Sequence, residues 1–127
     1  MSLRLYADAE CHVPVSLLVI KAVAGKVSRT SIFLCNEGDG LVEEVEVSAA
    51  LDVAKGLGLA GHLSEDARKR LALAYDGSSV RVAENGSIAE LGEGEVREVV
   101  LEWVAGLDAP ATRYYATVSV RGMQEEL

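Results

Sequence analysis

The sequence predicts an all-β protein, an antiparallel sandwich of about seven or eight short strands. In several stretches every second residue is apolar, and turn signals separate these stretches at short intervals. Half of the 127 residues are apolar, yet the chain has one Phe, one Trp and four Tyr. The core must therefore consist mostly of Val, Leu and Ala, which is typical of small β-sandwiches.

The clearest pair of strands lies within Lys26–Leu51. Ile32 and Leu34 alternate with polar residues before an acidic, glycine-containing turn at 36–40. After the turn the alternating apolar residues are Val45, Val47, Ala49 and Leu51. This period of two indicates strands with one buried face, joined either as a β-hairpin or as a β-arch.

The first of these strands has apolar residues on both faces. Phe33 and Cys35 alternate with Ile32 and Leu34, so they must lie on the opposite side of the strand. An apolar outer face needs a cover, which another sheet, the amino segment or another subunit would supply. For Phe33 we favour a subunit interface.

The amino segment predicts a short strand, a bend and a second strand. Leu3 and Leu5 precede the bend, and the alternating set after it is Val13, Val15, Leu17 and Val19. Pro14 lacks the amide that a central strand requires, so this strand belongs at an edge. Residues 1–20 therefore form either an edge strand of their own domain or an arm that joins a neighbouring subunit.

The middle of the chain contains the pattern G-x-G-x-x-G at Gly56, Gly58 and Gly61. In dinucleotide-binding folds such glycines let pyrophosphate approach the start of a helix, within a βαβ unit. Here only one later segment has a helical pattern, so no second crossover is available to build a parallel sheet. We therefore interpret the pattern as a loop.

A short helix is predicted to begin after Ser64, because this residue can cap it and acidic residues follow in the first turn. Arg70–Tyr75 is predicted to be a strand, from the alternation of Leu71, Leu73 and Tyr75. With the apolar pair at Val80 and Val82 this strand would form a hairpin around Asp76-Gly77.

Later strands are expected at 88–91, 96–104 and 114–121. Within the second of these, Val99, Leu101 and Trp103 share one face, which makes Trp103 a core residue rather than a ligand platform. In the last strand, one of Tyr114 and Tyr115 belongs to the core and the other to the surface. A tyrosine-corner bond from this pair to the connection at 107–111 is the alternative. The strand count and spacing predict an immunoglobulin-like sandwich, a single domain spanning residues 1–127.

Composition excludes several functional classes. The net charge of −8 offers no attraction for nucleic acid or anionic lipid. No apolar run approaches the length of a membrane span, and no basic region with an apolar core begins the chain, so we expect neither membrane insertion nor an export signal. The chain has two histidines and no G-x-S-x-G motif, and Glu43, Glu44 and Glu46 are interpreted as a solvated strand face. We therefore expect no enzymatic activity and no cofactor.

Cys11 and Cys35 are the two cysteines. They could form a disulfide, although in a chain without an export signal two reduced, half-buried thiols are the more usual state. With His12 and His62 they supply residue types that bind zinc, but no two of them have a local ligand spacing, so no metal site is expected.

Several segments resemble immunoglobulin-like structural proteins of tailed bacteriophages. The resemblance lies in residues 3–8 with Pro14-Val15, in 25–30 running into 34–38, in 87–94, and in 108–111 with 115–122. It implies a virion component assembled in the host cytoplasm, either a capsid decoration or auxiliary subunit or a tail part. The implied partners are a major capsid or tail protein and further copies of the chain, with a trimer favoured.

The candidate interface residues are Leu5, Tyr6, Phe33, Cys35 and Tyr115. Two other functions remain open at this point. One is a carbohydrate-binding sandwich that uses Tyr115 and the acidic loops. The other is a cell-surface adhesion or scaffold domain from a larger protein.

Overall fold

The computed structural model describes residues 3–21, 24–59, 61–84, 86–106 and 113–124. These residues form eight strands and two helices. Their order is β1 (Leu3–Tyr6), β2 (Leu17–Lys21), β3 (Val27–Asn36), β4 (Val42–Leu51), α1 (Val53–Leu59), α2 (Glu65–Gly77), β5 (Ser79–Glu84), β6 (Ser87–Leu91), β7 (Val96–Val104) and β8 (Arg113–Gln124).

The strands make two four-stranded antiparallel sheets. Sheet A has the order β1-β3-β7-β5, and sheet B has the order β2-β8-β4-β6. The antiparallel β-sandwich of seven or eight strands predicted from the sequence is thus confirmed. Along the described chain, odd-numbered strands lie in sheet A and even-numbered strands in sheet B, so each strand is followed by one in the other sheet.

This alternation decides between the hairpin and the arch for Lys26–Leu51. β3 pairs with β1 and β7, whereas β4 pairs with β6 and β8. The turn after Asn36 therefore carries the chain across the core as a β-arch. In β4 a register shift between Glu43 and Glu46 adds an extra residue, which lets both Val42 and Val45 point inward.

One hydrophobic cluster fills the space between the sheets. It contains Ile32 and Leu34 from β3 together with Val99, Leu101 and Trp103 from β7, as the period-two pattern predicted. Trp103 is 1% exposed, and its ring centroid lies 5.5 Å from that of Tyr114, which in turn lies 5.0 Å from that of Tyr75. Tyr114 is fully buried and Tyr115 half-buried, so the predicted division of the tyrosine pair is confirmed. The connection at 107–111, to which a tyrosine-corner bond was considered, lies outside the described residues.

The prediction of a strand at Arg70–Tyr75 is wrong, because these residues belong to α2. Ser64 caps this helix as predicted, its Oγ accepting a hydrogen bond from the backbone N–H of Ala67 at 3.2 Å. The helix buries Leu71, Ala74 and Tyr75, at spacings of three and four residues. Leu71 and Tyr75 fit both the strand period of two and the helical spacing of four. The strand pattern required Leu73 to be buried with them, but it is 69% exposed. The hairpin around Asp76-Gly77 is consequently absent, and Gly77 ends the helix.

The glycine-rich segment was predicted to be a loop, which is wrong for Gly56 and Gly58 but holds for Gly61, which lies in a turn. Gly56 and Gly58 lie in α1. At the start of this helix, the Gly56 N–H donates to the carbonyl of Asp52 at 3.1 Å. The two helices together form the connection that returns the chain from sheet B to sheet A.

The amino segment contributes an edge strand to each sheet. β1 pairs with β3, and β2 pairs with β8. Pro14 makes a single bridge to Tyr6 at the outer edge of β1, where its missing amide costs no ladder bond. Both strands thus pair within this chain's own sandwich.

Candidate functional site: the outer face of sheet A

The structure brings three of the five candidate interface residues together. Tyr6 and Phe33 are directly opposite each other on β1 and β3, and Cys35 lies on the same outward face of sheet A, opposite Arg4. Leu5 points inward and belongs to the core cluster. Tyr115 lies on the outer face of sheet B, opposite Val19.

Phe33 is one of five apolar residues on this face, which we call the apolar strip; along β7 its valines alternate with Glu98 and Glu102. Its members are Val27, Phe33, Val96, Val100 and Val104. Val27 is 58% exposed, Val96 40% and Val104 38%, whereas Phe33 and Val100 are half-buried. Of these residues only Phe33 was predicted from the sequence, although the outward position of Val100 follows from the alternation in β7.

An ion-pair cluster interrupts the apolar strip between the Val27–Val104 pair and Val100. Glu102 of β7 is the direct neighbour of Arg29 on β3 and of Arg81 on β5. Arg81 Nη2 donates to both carboxylate oxygens of Glu102, at 3.0 and 3.2 Å, and Arg29 Nη2 lies 3.8 Å from Oε2. The side chain of Glu102 is 7% exposed, while those of the two arginines are 71% and 73% exposed. The face therefore displays two cations over one sheltered carboxylate.

Tyr6 and Cys35 are buried although they face away from the core. The Tyr6 hydroxyl donates to Glu37 Oε1, and this hydrogen bond raises the pKa of Tyr6. Glu37 Oε2 also lies 3.6 Å from Arg4 Nε. The carboxylate of Glu37 thus holds a tyrosine and an arginine of β1 against the end of β3.

A loop at residues 7–13, which we call the amino loop, turns back against the edge of β1. The Ala7 N–H donates to the carbonyl of Val13 at 2.8 Å, which closes the loop. Inside it, the Asp8 carboxylate accepts from the N–H groups of Val13 at 2.8 Å and His12 at 3.0 Å. These bonds lower the pKa of Asp8.

A groove of about 340 Å³ lies between β1, residues 14–16 and β8. Its lining is mostly apolar, with Arg4 as the one charged residue; the other lining residues are Leu3, Leu5, Pro14, Val15, Ser16, Val118, Ser119 and Val120. Such a lining provides no acid–base pair and no nucleophile activated by a base.

The described residues contain no group of three or more His, Cys, Asp and Glu side chains that could hold a metal ion. Over the same part of the chain, none of the helices has the length and apolar character needed to cross a membrane.

Within the G-x-G-x-x-G pattern, Gly56 serves packing within the fold. A Cβ at Gly56 would lie 2.8 Å from the ring Cε2 of Tyr75, whereas one at Gly58 would meet nothing within 4 Å. Gly56 therefore allows α1 to lie directly against Tyr75.

Comparison of the chain with protein-family models and with curated proteins finds no match to either. A functional assignment must accordingly be argued from the surface chemistry of the molecule.

Proposed function

We propose that this protein is a non-enzymatic structural subunit of a virus particle, a capsid decoration or auxiliary subunit or a tail component. It would associate with copies of itself, with a trimer as the expected form, and with the major capsid or tail protein. The observation that carries the proposal is the apolar strip on the outer face of sheet A.

The strip favours association because it exposes valines that folding leaves in water. Val27 and Val104 are cross-strand partners at one end of the strip, and Val96 lies at the other end, opposite Cys35. Removing apolar surface from water contributes roughly 25 cal/mol per Å², and a stable interface buries about 800 Å² on each partner. The valines of the strip, spaced along the length of β7 between Glu98 and Glu102, would supply apolar contacts within such an interface.

Charge complementarity supports a second copy as one occupant of this face. The protein carries a net charge of −8, whereas the face displays the exposed guanidinium groups of Arg29 and Arg81. These groups can meet carboxylates of an acidic neighbour at the rim of the interface, where charges select partners and orientation. A structural role of this kind depends on buried surface and packing, and it requires no reactive group.

The test is to place a charge within the strip. Phe33→Glu and Val104→Glu should each weaken self-association by about tenfold or more, because a carboxylate would have to be buried in the interface. Size-exclusion chromatography with light scattering over a range of concentrations measures the change. Co-sedimentation with capsids of the cognate virus measures docking.

Val19→Glu is the matched control, because Val19 is also an exposed strand valine but lies on the outer face of sheet B, at 50% exposure. It should leave association unchanged. If the wild-type protein is monomeric at all concentrations and does not sediment with capsids, the proposal is wrong. Equal effects of the three substitutions would place the interface elsewhere.

The carbohydrate-binding alternative has less support. Such sites commonly use exposed aromatic rings, but Trp103 is in the core and Tyr115 is half-buried beside Val19. A glycan array tests this alternative directly. An adhesion or scaffold domain would use the same apolar strip. Capsid co-sedimentation therefore separates that function from the proposed role in a virus particle.

A further inference from the structure

The fold brings the two cysteines together, although 23 residues separate them in the sequence. Cys35 lies on the outward face of β3 but is only 8% exposed. The thiol of Cys11, in the amino loop, donates to the carbonyl of Ala9 at 3.9 Å, and the thiol of Cys35 is its neighbour, close enough to raise the pKa of Cys11. Cys11 is partly exposed, so one thiol of the pair is open to solvent and the other is enclosed.

The backbone holds the amino loop in this position from both sides. Ala7 donates to Val13, and Val15 donates to the carbonyl of Leu5 at 2.9 Å, so both ends of the loop are fixed to the edge of β1. The Cys11 N–H donates to the carbonyl of Asp8 at 3.2 Å, and Cys11 itself has a φ of 58°. Left-handed backbone is uncommon for a residue other than Gly, Asn or Asp, and here it forms part of the turn that carries Cys11.

We propose that Cys11 and Cys35 are a redox-active dithiol, which a small-molecule disulfide such as glutathione disulfide converts into an intramolecular disulfide bond. This inference is independent of the proposed function. Both cysteines are free thiols in this structure, which is therefore the reduced form.

The reaction proceeds by two thiol–disulfide exchanges. The thiolate of Cys11, the more exposed thiol, attacks one sulfur of glutathione disulfide, forms a mixed disulfide and releases one glutathione. The thiolate of Cys35 then attacks the Cys11 sulfur and displaces the second glutathione. Each released glutathione thiolate takes up the proton that a cysteine lost. In sum, two protein thiols are oxidised and one glutathione disulfide is reduced to two glutathiones.

The surroundings of the pair make the first step slow at neutral pH. Burial, the neighbouring Cys35 thiol and the carboxylates of Asp8 and Glu37 raise the pKa of Cys11 to about 11. Arg4, opposite Cys35 on β1, is the nearby cation, and it lies against Glu37. Since the thiolate is the attacking species, the rate of oxidation should rise roughly tenfold per pH unit between about pH 7 and 9.

Closing the disulfide would fasten the amino loop to the middle of the sheet A face. The loop is now held by β1, an edge strand of four residues. A sulfur–sulfur bond of about 2.05 Å would tie it directly to β3, which has neighbours on both sides. Local opening of the loop should then become rarer, and the unfolded chain would carry a cross-link.

The experiment uses the full-length protein, first reduced and then incubated in buffers of defined ratio of glutathione to glutathione disulfide. Free thiols are trapped by alkylation, and the products are identified by intact-mass and peptide mass spectrometry. We expect an intramolecular Cys11–Cys35 disulfide that dithiothreitol reverses. The oxidised form should melt on the order of 10 °C higher and show at least about tenfold slower hydrogen exchange at residues 7–13.

Two variants separate the steps. Cys35→Ser should stop at the mixed disulfide between Cys11 and glutathione, because no second thiol is present to resolve it. Cys11→Ser should leave the enclosed Cys35 largely unmodified. Because Cys11 lies in the amino loop, this substitution requires no repacking of the residues beneath the loop.

Three results would overturn the proposal. The first is a wild-type protein that keeps both thiols in excess glutathione disulfide at mildly alkaline pH. The second is wild-type protein that accumulates the mixed disulfide on Cys11 without closing. The third is the formation of disulfide-linked dimers in place of the internal bond.

Discussion

Asn36 links three parts of the chain from a fully buried position. Its Nδ2 donates to the carbonyls of Gly40 at 2.7 Å and Leu91 at 3.0 Å, and its Oδ1 accepts from the N–H of Gly38 at 3.1 Å. Its main chain also exchanges hydrogen bonds with the turn before β7, with Gly94 and Glu95. One side chain thus fixes both the β-arch after β3 and the end of β6.

We predict that Asn36→Ala lowers the free energy of unfolding by about 2–4 kcal/mol, because it leaves buried carbonyl and N–H groups without partners. Urea unfolding measures the loss. Ser48→Ala is the control, since its hydroxyl pairs with that of Ser119 at 2.8 Å on the exposed surface, and its effect should be near zero. Similar losses in the two variants would contradict this account of Asn36.

Gly56 and Gly58 occupy the same helix but have different surroundings. Gly56 is buried against Tyr75, whose hydroxyl accepts a hydrogen bond from the N–H of Tyr115 at 3.1 Å. Burial raises the pKa of Tyr75, which keeps this hydroxyl protonated. Gly58 is exposed, with open space where a Cβ would lie.

The two glycines should therefore respond oppositely to alanine. Gly56→Ala should destabilise the protein by about 1–3 kcal/mol, because the new methyl group displaces Tyr75. Gly58→Ala should stabilise it by up to about 1 kcal/mol, because alanine is the better helix former. Thermal or urea unfolding tests the pair, and destabilisation by both would show that α1 cannot accept any side chain in this region.

At the scale of elements, the cluster around Glu102 joins three strands of sheet A. Glu102 on β7 lies between Arg29 on β3 and Arg81 on β5. Its carboxylate is sheltered, so its contacts are less screened by water than those of an exposed pair. β5 is an edge strand, and this ion pair adds to its backbone pairing with β7.

Glu102→Gln should cost about 1–3 kcal/mol, because it removes the charge-assisted bonds and leaves two arginines side by side. Glu46→Gln is the matched control: Glu46 also pairs across strands, with Arg121 at 2.6 Å, but its side chain is 52% exposed. Exposed pairs contribute little, so its cost should stay below about 1 kcal/mol. If the control costs as much as Glu102→Gln, burial is not what distinguishes the two pairs.

The same scale explains the errors about the middle segment. Leu71 and Tyr75 satisfy both a period of two and a spacing of four, so the strand prediction rested on Leu73 and the following Asp-Gly pair. The exposed position of Leu73 was decided by the fit of Leu71, Ala74 and Tyr75 against the core. The cap at Ser64, by contrast, is a local interaction, and for that reason it could be predicted.

At the scale of the whole molecule, the alternation between sheets makes the two sheets interdependent. No described strand is paired with the strand next to it in sequence. Each pair of strands therefore brings together residues that are farther apart in sequence than the two strands of a hairpin, which slows folding. For the same reason, we expect that neither sheet forms without the other.

We predict a single cooperative unfolding transition and folding in the range of about milliseconds to seconds. Trp103, the one tryptophan, reports on the core between the sheets, and far-ultraviolet circular dichroism reports on the strands. Their urea midpoints should coincide. Separate midpoints would mean that the sheets unfold independently.

The candidate surface was only partly predictable. Alternation placed Phe33 and Cys35 on the face opposite Ile32 and Leu34, and this is where they lie. The alternation could not show that sheet A joins them to Val27 and Val104, nor that the amino loop places Cys11 beside Cys35. Those neighbours come from strand pairing and loop closure between residues far apart in sequence.

The sequence by itself determined where most strands lie and which of their residues face the core. Those properties depend on the spacing of apolar residues, because a strand alternates its side chains whatever its partners are. The sheet that each strand joins could not be read from the sequence, since a hairpin and an arch have similar turn residues and the same alternation. That choice depends on packing the whole core at once, and it creates the outer face of sheet A on which both proposals rest.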